Sequence, residues 1–197
     1  MKTFLASLFS AALMLSATTP ATAYNHDDDN RSTVFIASNG TAGNKVLMYR
    51  RSDSGGLAAA GEVATGGLGS GGGLGNQGGV ATTESGRTLL VVNAGSNDVS
   101  VFRVRKGGLA LTDRLASGGT QPVSVAVNDD IVYVLNAGSD NISGFRLRHG
   151  RLTPIAGSTR PLSGSGTAPA QLAFSPSGDT LLVTEKATNK IVAYTIN

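Results

Sequence analysis

Two asparagines and a glutamate hold one position in successive copies of a repeated pattern, and they are the first residues in the sequence whose types and spacing could do chemistry. Asn93 and Asn136 lie 43 residues apart, and Glu185 follows 49 residues after Asn136. Side-chain amides at the end of a strand hold their own turn, or they bond a polar ligand. A carboxylate in the third copy, beside Lys186, has the type for a general base, and equally for one half of a surface ion pair. Histidine offers little for catalysis: His26 lies near the N-terminus and His149 in a turn expected on the opposite face. No cysteine is present, which excludes disulfides, thiol catalysis and thiolate metal sites.

A second candidate is the segment 66–79, in which nine of fourteen residues are glycine. Glycine frees the backbone to bring amides against a ligand, and Asn76 and Gln77 within it could contact one. It is no phosphate-binding motif, because no Gly-Lys-Ser/Thr follows and no helix begins there. Its plainer reading is a flexible crossover. A third feature is a set of basic residues, Arg103, Arg105, Lys106, Arg146, Arg148 and Arg151. They read as solvated outer-strand positions, with binding of an anionic polysaccharide as the functional alternative.

These residues must be positioned by the repeat itself. Thr88 to Arg103 returns as Ile131 to Arg146, with Asn-Ala-Gly-Ser common to both; a third copy spans Thr180 to Tyr194 and a looser one Thr33 to Arg50. Each copy is an apolar run, a turn rich in Gly, Asn, Asp or Ser, and a second apolar run, which is a β-hairpin. A short strand precedes the hairpin at Val80–Thr82, Val123–Val127 and Gln171–Phe174. A weaker one follows at Leu57–Ala64, Leu109–Ala116 and Leu152–Ile155. Four strands per period of roughly 43–53 residues make one propeller blade, lettered A to D outward from the axis. The predicted class is therefore all-β: blades of four antiparallel strands. The count is B, C and D of a first blade, two complete blades, and A, B and C of a fourth. In such a fold the B-to-C turns and the D-to-A crossovers share the face around the channel mouth, where a ligand site is expected.

Tyr133-Val134-Leu135-Asn136 is similar to the signature of YVTN-type propellers. Pro169 to Val183, with its Phe-Ser-Pro-Ser-Gly, resembles a blade start of the lactonase (6-phosphogluconolactonase-like) family. That resemblance implies a seven-bladed ring and lactone hydrolysis, while the surface-layer proteins that share these motifs imply binding without catalysis. It carries no catalytic residue over to a numbered position here. Two functions follow as expectations: a hydrolase opening a cyclic ester, with Glu185 as its base, or a non-catalytic envelope propeller binding a small molecule, polysaccharide or protein. The repeats fill under four of seven blades. That points to an N-terminal part of a longer product, to self-association through open blade edges, or, with least support, to a closed four-bladed ring.

The ends and the charge bound the rest. Met1-Lys2, the apolar run Phe4–Leu15 and Ala21-Thr22-Ala23 read as a secretory signal peptide over 1–23, cleaved after Ala23. The run is too short for a span of about 20 apolar residues, so a secreted or periplasmic protein without a transmembrane segment is expected. Residues 24–32, with Asp27-Asp28-Asp29, read as a disordered acidic tail, and 33–197 as the partial propeller. A net charge of +3 with only 15% charged residues gives no nucleic-acid footprint. No metal site and no cofactor are expected.

Overall fold

The computed structural model describes residues 33–196. The predicted signal peptide and acidic tail lie outside the described residues. Fifteen strands and no helix occur among them, arranged as four antiparallel sheets. The first sheet holds β1 (Thr33–Ala37), β2 (Lys45–Arg51) and β3 (Leu57–Ala64). The second holds β4 (Val80–Thr82), β5 (Thr88–Asn93), β6 (Asp98–Arg105) and β7 (Gly108–Ala116). The third holds β8 (Pro122–Asn128), β9 (Ile131–Asn136), β10 (Asn141–Arg148) and β11 (Arg151–Pro154), with β12 (Arg160–Pro161) also on β10. The fourth holds β13 (Pro169–Phe174), β14 (Thr180–Glu185) and β15 (Lys190–Thr195). These are the B, C, D, two complete and A, B, C blades expected from the repeats: an incomplete all-β propeller.

The central hairpins share one register. Asn93 pairs with Asp98, Asn136 with Asn141 and Glu185 with Lys190, each closing the strand end at a four-residue turn. The last turn residue is left-handed in all three: Asn97 at φ 60°, Asp140 at 45° and Asn189 at 56°. Asn and Asp tolerate that region where other side chains are strained.

Stacking of the sheets explains why the inner strands are apolar on both faces. Leu89, Val91, Phe102 and Val104 pack with Val46 between the first and second sheets. Leu90, Val92, Val99 and Val101 meet Val125, Val132, Val134 and Phe145 between the second and third. Leu135 and Ile142 meet Leu172, Leu181 and Val183 between the third and fourth. No such cluster among the described residues joins the fourth sheet to the first. At the far side of the fourth sheet the in-out alternation returns, leaving Ile191 71% exposed.

One strand departs from the expectation. The outer strand of the third blade, predicted as Leu152–Ile155, is split into β11 and β12. Pro154 ends the first piece because it has no N–H to donate. The chain then bulges, with the Ile155 N–H donating to Gly144 O and the Ser158 hydroxyl bonding around Gly144.

Candidate functional site

The D-to-A crossovers and B-to-C turns meet on one face, as the repeat requires. Gly95 N–H donates to Leu68 O at 2.9 Å, Gly138 N–H to Thr120 O at 2.9 Å, and Ala187 N–H to Thr167 O at 3.0 Å.

The glycine-rich crossover divides into three parts with different duties. Gly67 and Gly69 pack against the neighbouring blades: a Cβ at Gly67 would overlap the Asn93 side chain, and one at Gly69 would overlap the Asn39 backbone. Gly72 and Gly73 face open space. Residues 75–79 then run inward along the inner strands of three blades. Gly79 O accepts from Val92 N (3.0 Å), Gly78 O from Val125 N (2.8 Å), and Gln77 N donates to Ala170 O (3.0 Å). Lys186 Nζ, from the fourth blade, donates to Gly75 O at 2.6 Å. The segment expected to be a flexible crossover is thus docked over much of its length.

Between this segment and β1 lies a cavity of about 420 Å³, walled by Phe35, Ala37, Leu74 and Val80 and edged by Asn76 and Gln77. Asn76 Nδ2 is tied to Val123 O, which leaves its Oδ1 unbonded, and the exposed Gln77 side chain has no hydrogen-bond partner among the described residues.

Asn93 and Asn136 sit elsewhere, fully buried between blades. Asn93 Oδ1 accepts from Asn44 Nδ2 (2.9 Å) and the Thr65 hydroxyl (2.7 Å), and its Nδ2 donates to Asp98 (2.6 Å) and Ser100 (2.8 Å). Asn136 has the same register but a poorer set of partners. Ser117 stands where Thr65 stands, each donating its N–H to the end of the preceding turn, at Asn97 O and Asn44 O. The Ser117 hydroxyl, however, turns to Gly119 O, and Asn97 Oδ1 is occupied by Gln121 N–H. Asn136 therefore keeps one bond, Nδ2 to Ser117 O at 3.3 Å, and its Oδ1 has no partner.

Glu185 is 2% exposed and does not line the cavity. Lys186 points away from it to Gly75. The carboxylate accepts the Ser163 N–H (2.9 Å) and the hydroxyls of Ser163 and Thr188. Burial pushes its pKa up, but the Ser163 and Thr188 hydrogen bonds and the nearby Lys190 charge outweigh burial and hold it below the usual carboxylate value. This is a latch between the third and fourth blades. Asp140, which the sequence reading did not single out, does the same next door, accepting Gly166 N–H (2.7 Å), Thr167 N–H (3.0 Å) and the Thr167 hydroxyl (2.6 Å). The signal for it was an acid where Asn97 and Asn189 stand in the other turns. Among the described residues no group of three or more histidines and carboxylates could hold a metal ion. Within them, no helix is long and apolar enough to cross a membrane.

Comparison with known proteins agrees with this architecture. A family model described as "Lactonase, 7-bladed beta-propeller" matches residues 43–163. No curated protein matches the chain. Among solved structures, a periplasmic gluconolactonase from Pseudomonas aeruginosa is 19% identical with a TM-score of 0.69, over 85% of this chain and 52% of that one. A Bacteroides uniformis protein provisionally assigned as a 6-phosphogluconolactonase is 18% identical with a TM-score of 0.67, over 84% of this chain and 50% of its own. The chain spans about half the length of these structures. With more than half of its residues inside the family match and the blades laid out as described, the chain belongs to the seven-bladed β-propeller lactonase family.

Proposed function

We propose that the protein is an exported lactonase-family propeller that binds a sugar-derived cyclic ester in the cavity between β1 and the glycine-rich segment. The observation that carries this reading is the pairing of the unbonded Asn76 Oδ1 and the uncommitted Gln77 amide with the apolar wall of Phe35, Ala37, Leu74 and Val80. A small polar ring needs that combination, one apolar face to cover it and a few fixed polar groups to orient it. The family match and the gluconolactonase among its structural neighbours support the substrate class. Residues 1–23, with their basic start, short apolar run and small residues before the cleavage position, support export.

Turnover is a separate step from binding. Glu185 is fully hydrogen-bonded and away from the cavity, which favours a second reading, a non-catalytic binding propeller. Both are tested with glucono-1,5-lactone and its unreactive lactam. The lactam should bind, and Gln77→Ala should weaken it by about tenfold, the worth of one hydrogen bond. Lactone opening above the solvent rate, equal in wild type and Glu185→Gln, would identify a hydrolase that does not use Glu185. Lactam binding without acceleration would identify the binding propeller, and no binding would overturn both.

Self-association through the end strands β1 and β15 belongs to the same reading. Light scattering should find a defined dimer; a monomer at all concentrations would remove it.

A further inference from the structure

On the face opposite the crossovers, a cleft of about 820 Å³ opens between the second and third blades. The geometry points to a binding site there for an acidic oligosaccharide, built on three arginines that no carboxylate neutralises.

The repeat places charges of opposite sign at one position in successive blades. In the third blade, the Leu147 N–H donates to Asp130 O; in the second, the Val104 N–H donates to Arg87 O. Those bonds make Arg87 the counterpart of Asp130, and by hairpin register Arg103 and Arg105 are counterparts of Arg146 and Arg148. In the third blade the Asp130 carboxylate holds both arginines, at 2.6 Å from Arg146 and 3.5 Å from Arg148. The fourth blade also has an acid there, Asp179, whose carbonyl accepts from Ile196 N–H. The second blade alone of these three reverses the charge. Arg87, Arg103 and Arg105 all line the cleft, all are exposed, and none forms an ion pair or side-chain hydrogen bond within the described chain. Glu84 and Asp129 also line the cleft, but neither is in ion-pair contact with the three.

Gathering like charges is unfavourable unless something of opposite sign answers them. Guanidinium groups match carboxylates with two parallel hydrogen bonds, which suits an acid-bearing ligand better than a diffuse counterion. The rest of the lining selects the ligand class. Thr83, Ser85 and Thr88 contribute hydroxyls, and the one ring in the lining is the His149 imidazole, with no Phe, Tyr or Trp face on which a nucleobase could stack. A hydroxyl-rich chain carrying carboxylates, such as a uronate oligomer, satisfies both sets of groups. The site is independent of the cavity beside β1, which lies toward the other face.

The test titrates the whole chain calorimetrically with oligogalacturonate, a neutral maltooligosaccharide and inorganic phosphate. Oligogalacturonate should bind, more weakly as salt rises, and the other two should not. Arg87→Asp, which recreates the third blade's arrangement, should weaken it at least about tenfold while raising thermal stability, so loss of binding cannot be loss of fold. Arg148→Ser, already paired to Asp130, should leave affinity unchanged. The proposal is overturned if oligogalacturonate does not bind, if phosphate binds as well, if Arg87→Asp has no effect, or if Arg148→Ser matches it.

Discussion

The side-chain amide of Asn44, at the foot of β2, donates to the Oδ1 of Asn93, at the end of β5, across the junction of the first two blades. That bond is what Asn136 lacks at the next junction, and the two asparagines should differ in worth accordingly. Asn93→Ala would take one partner each from the Asn44 amide, the Thr65 hydroxyl, the Asp98 carboxylate and the Ser100 hydroxyl in a buried site, each of which keeps another. Each lost hydrogen bond is worth roughly 0.5–1.5 kcal/mol, and with partial compensation the loss should be about 2–3 kcal/mol. Asn136→Ala gives up one long bond and an already unpartnered oxygen, and should lose under about 1 kcal/mol. Urea denaturation of the two variants checks the ordering; equal losses would remove the distinction.

The glycines of the crossover should respond to alanine according to position. Gly67→Ala and Gly69→Ala force a methyl group into Asn93 or the Asn39 backbone and should destabilise by about 1–3 kcal/mol. Gly72→Ala and Gly73→Ala meet nothing and need no left-handed backbone, so they should be neutral or stabilise by up to about 1 kcal/mol. Thermal melts of the four single variants decide it.

Acid should loosen the junction of the third and fourth blades. The Glu185 pKa is lowered in the folded state, so its contribution is present above the ordinary carboxylate pKa and is lost as pH falls through the lowered value. Glu185→Gln should flatten the acid limb of the stability profile while lowering stability at neutral pH. An unchanged acid limb would mean that the latch contributes nothing.

Releasing the crossover should be possible from the far blade. Lys186→Met removes the donor to Gly75 O and should speed amide exchange at 75–79 without altering the core of the second blade. Uniform acceleration across the chain would instead indicate global destabilisation.

Much of the fold was legible because the hairpin repeats in residue type as well as in spacing: Asn-Ala-Gly-Ser at 93–96 and 136–139 marks two turns that the structure superposes by register. Asn76 and Gln77 stand out as the polar residues within a glycine run, and the structure puts both at the edge of the cavity beside β1. Other features were not legible. Asn93 and Asn136 share a letter, but their partners come from the preceding blade, where Thr65 gives way to Ser117. The inward run of 75–79 is held largely by backbone atoms, such as Gln77 N on Ala170 O, and these leave no signature in side-chain type. The equivalence of Arg87 and Asp130 is hidden because the turns that contain them are unlike, Glu84-Ser85-Gly86-Arg87 against Asp129-Asp130.

The inward run also bears on how the chain acquires its structure. Stacked repeats ordinarily contact only their neighbours and can form one at a time, yet Gly75 waits for Lys186, 111 residues further on. During synthesis the first crossover has no complete seat until the fourth blade emerges, so its docking reports on the whole arc at once. Contacts of such long range slow folding. A strap of this kind ties the seating of the first crossover to the arrival of the fourth blade.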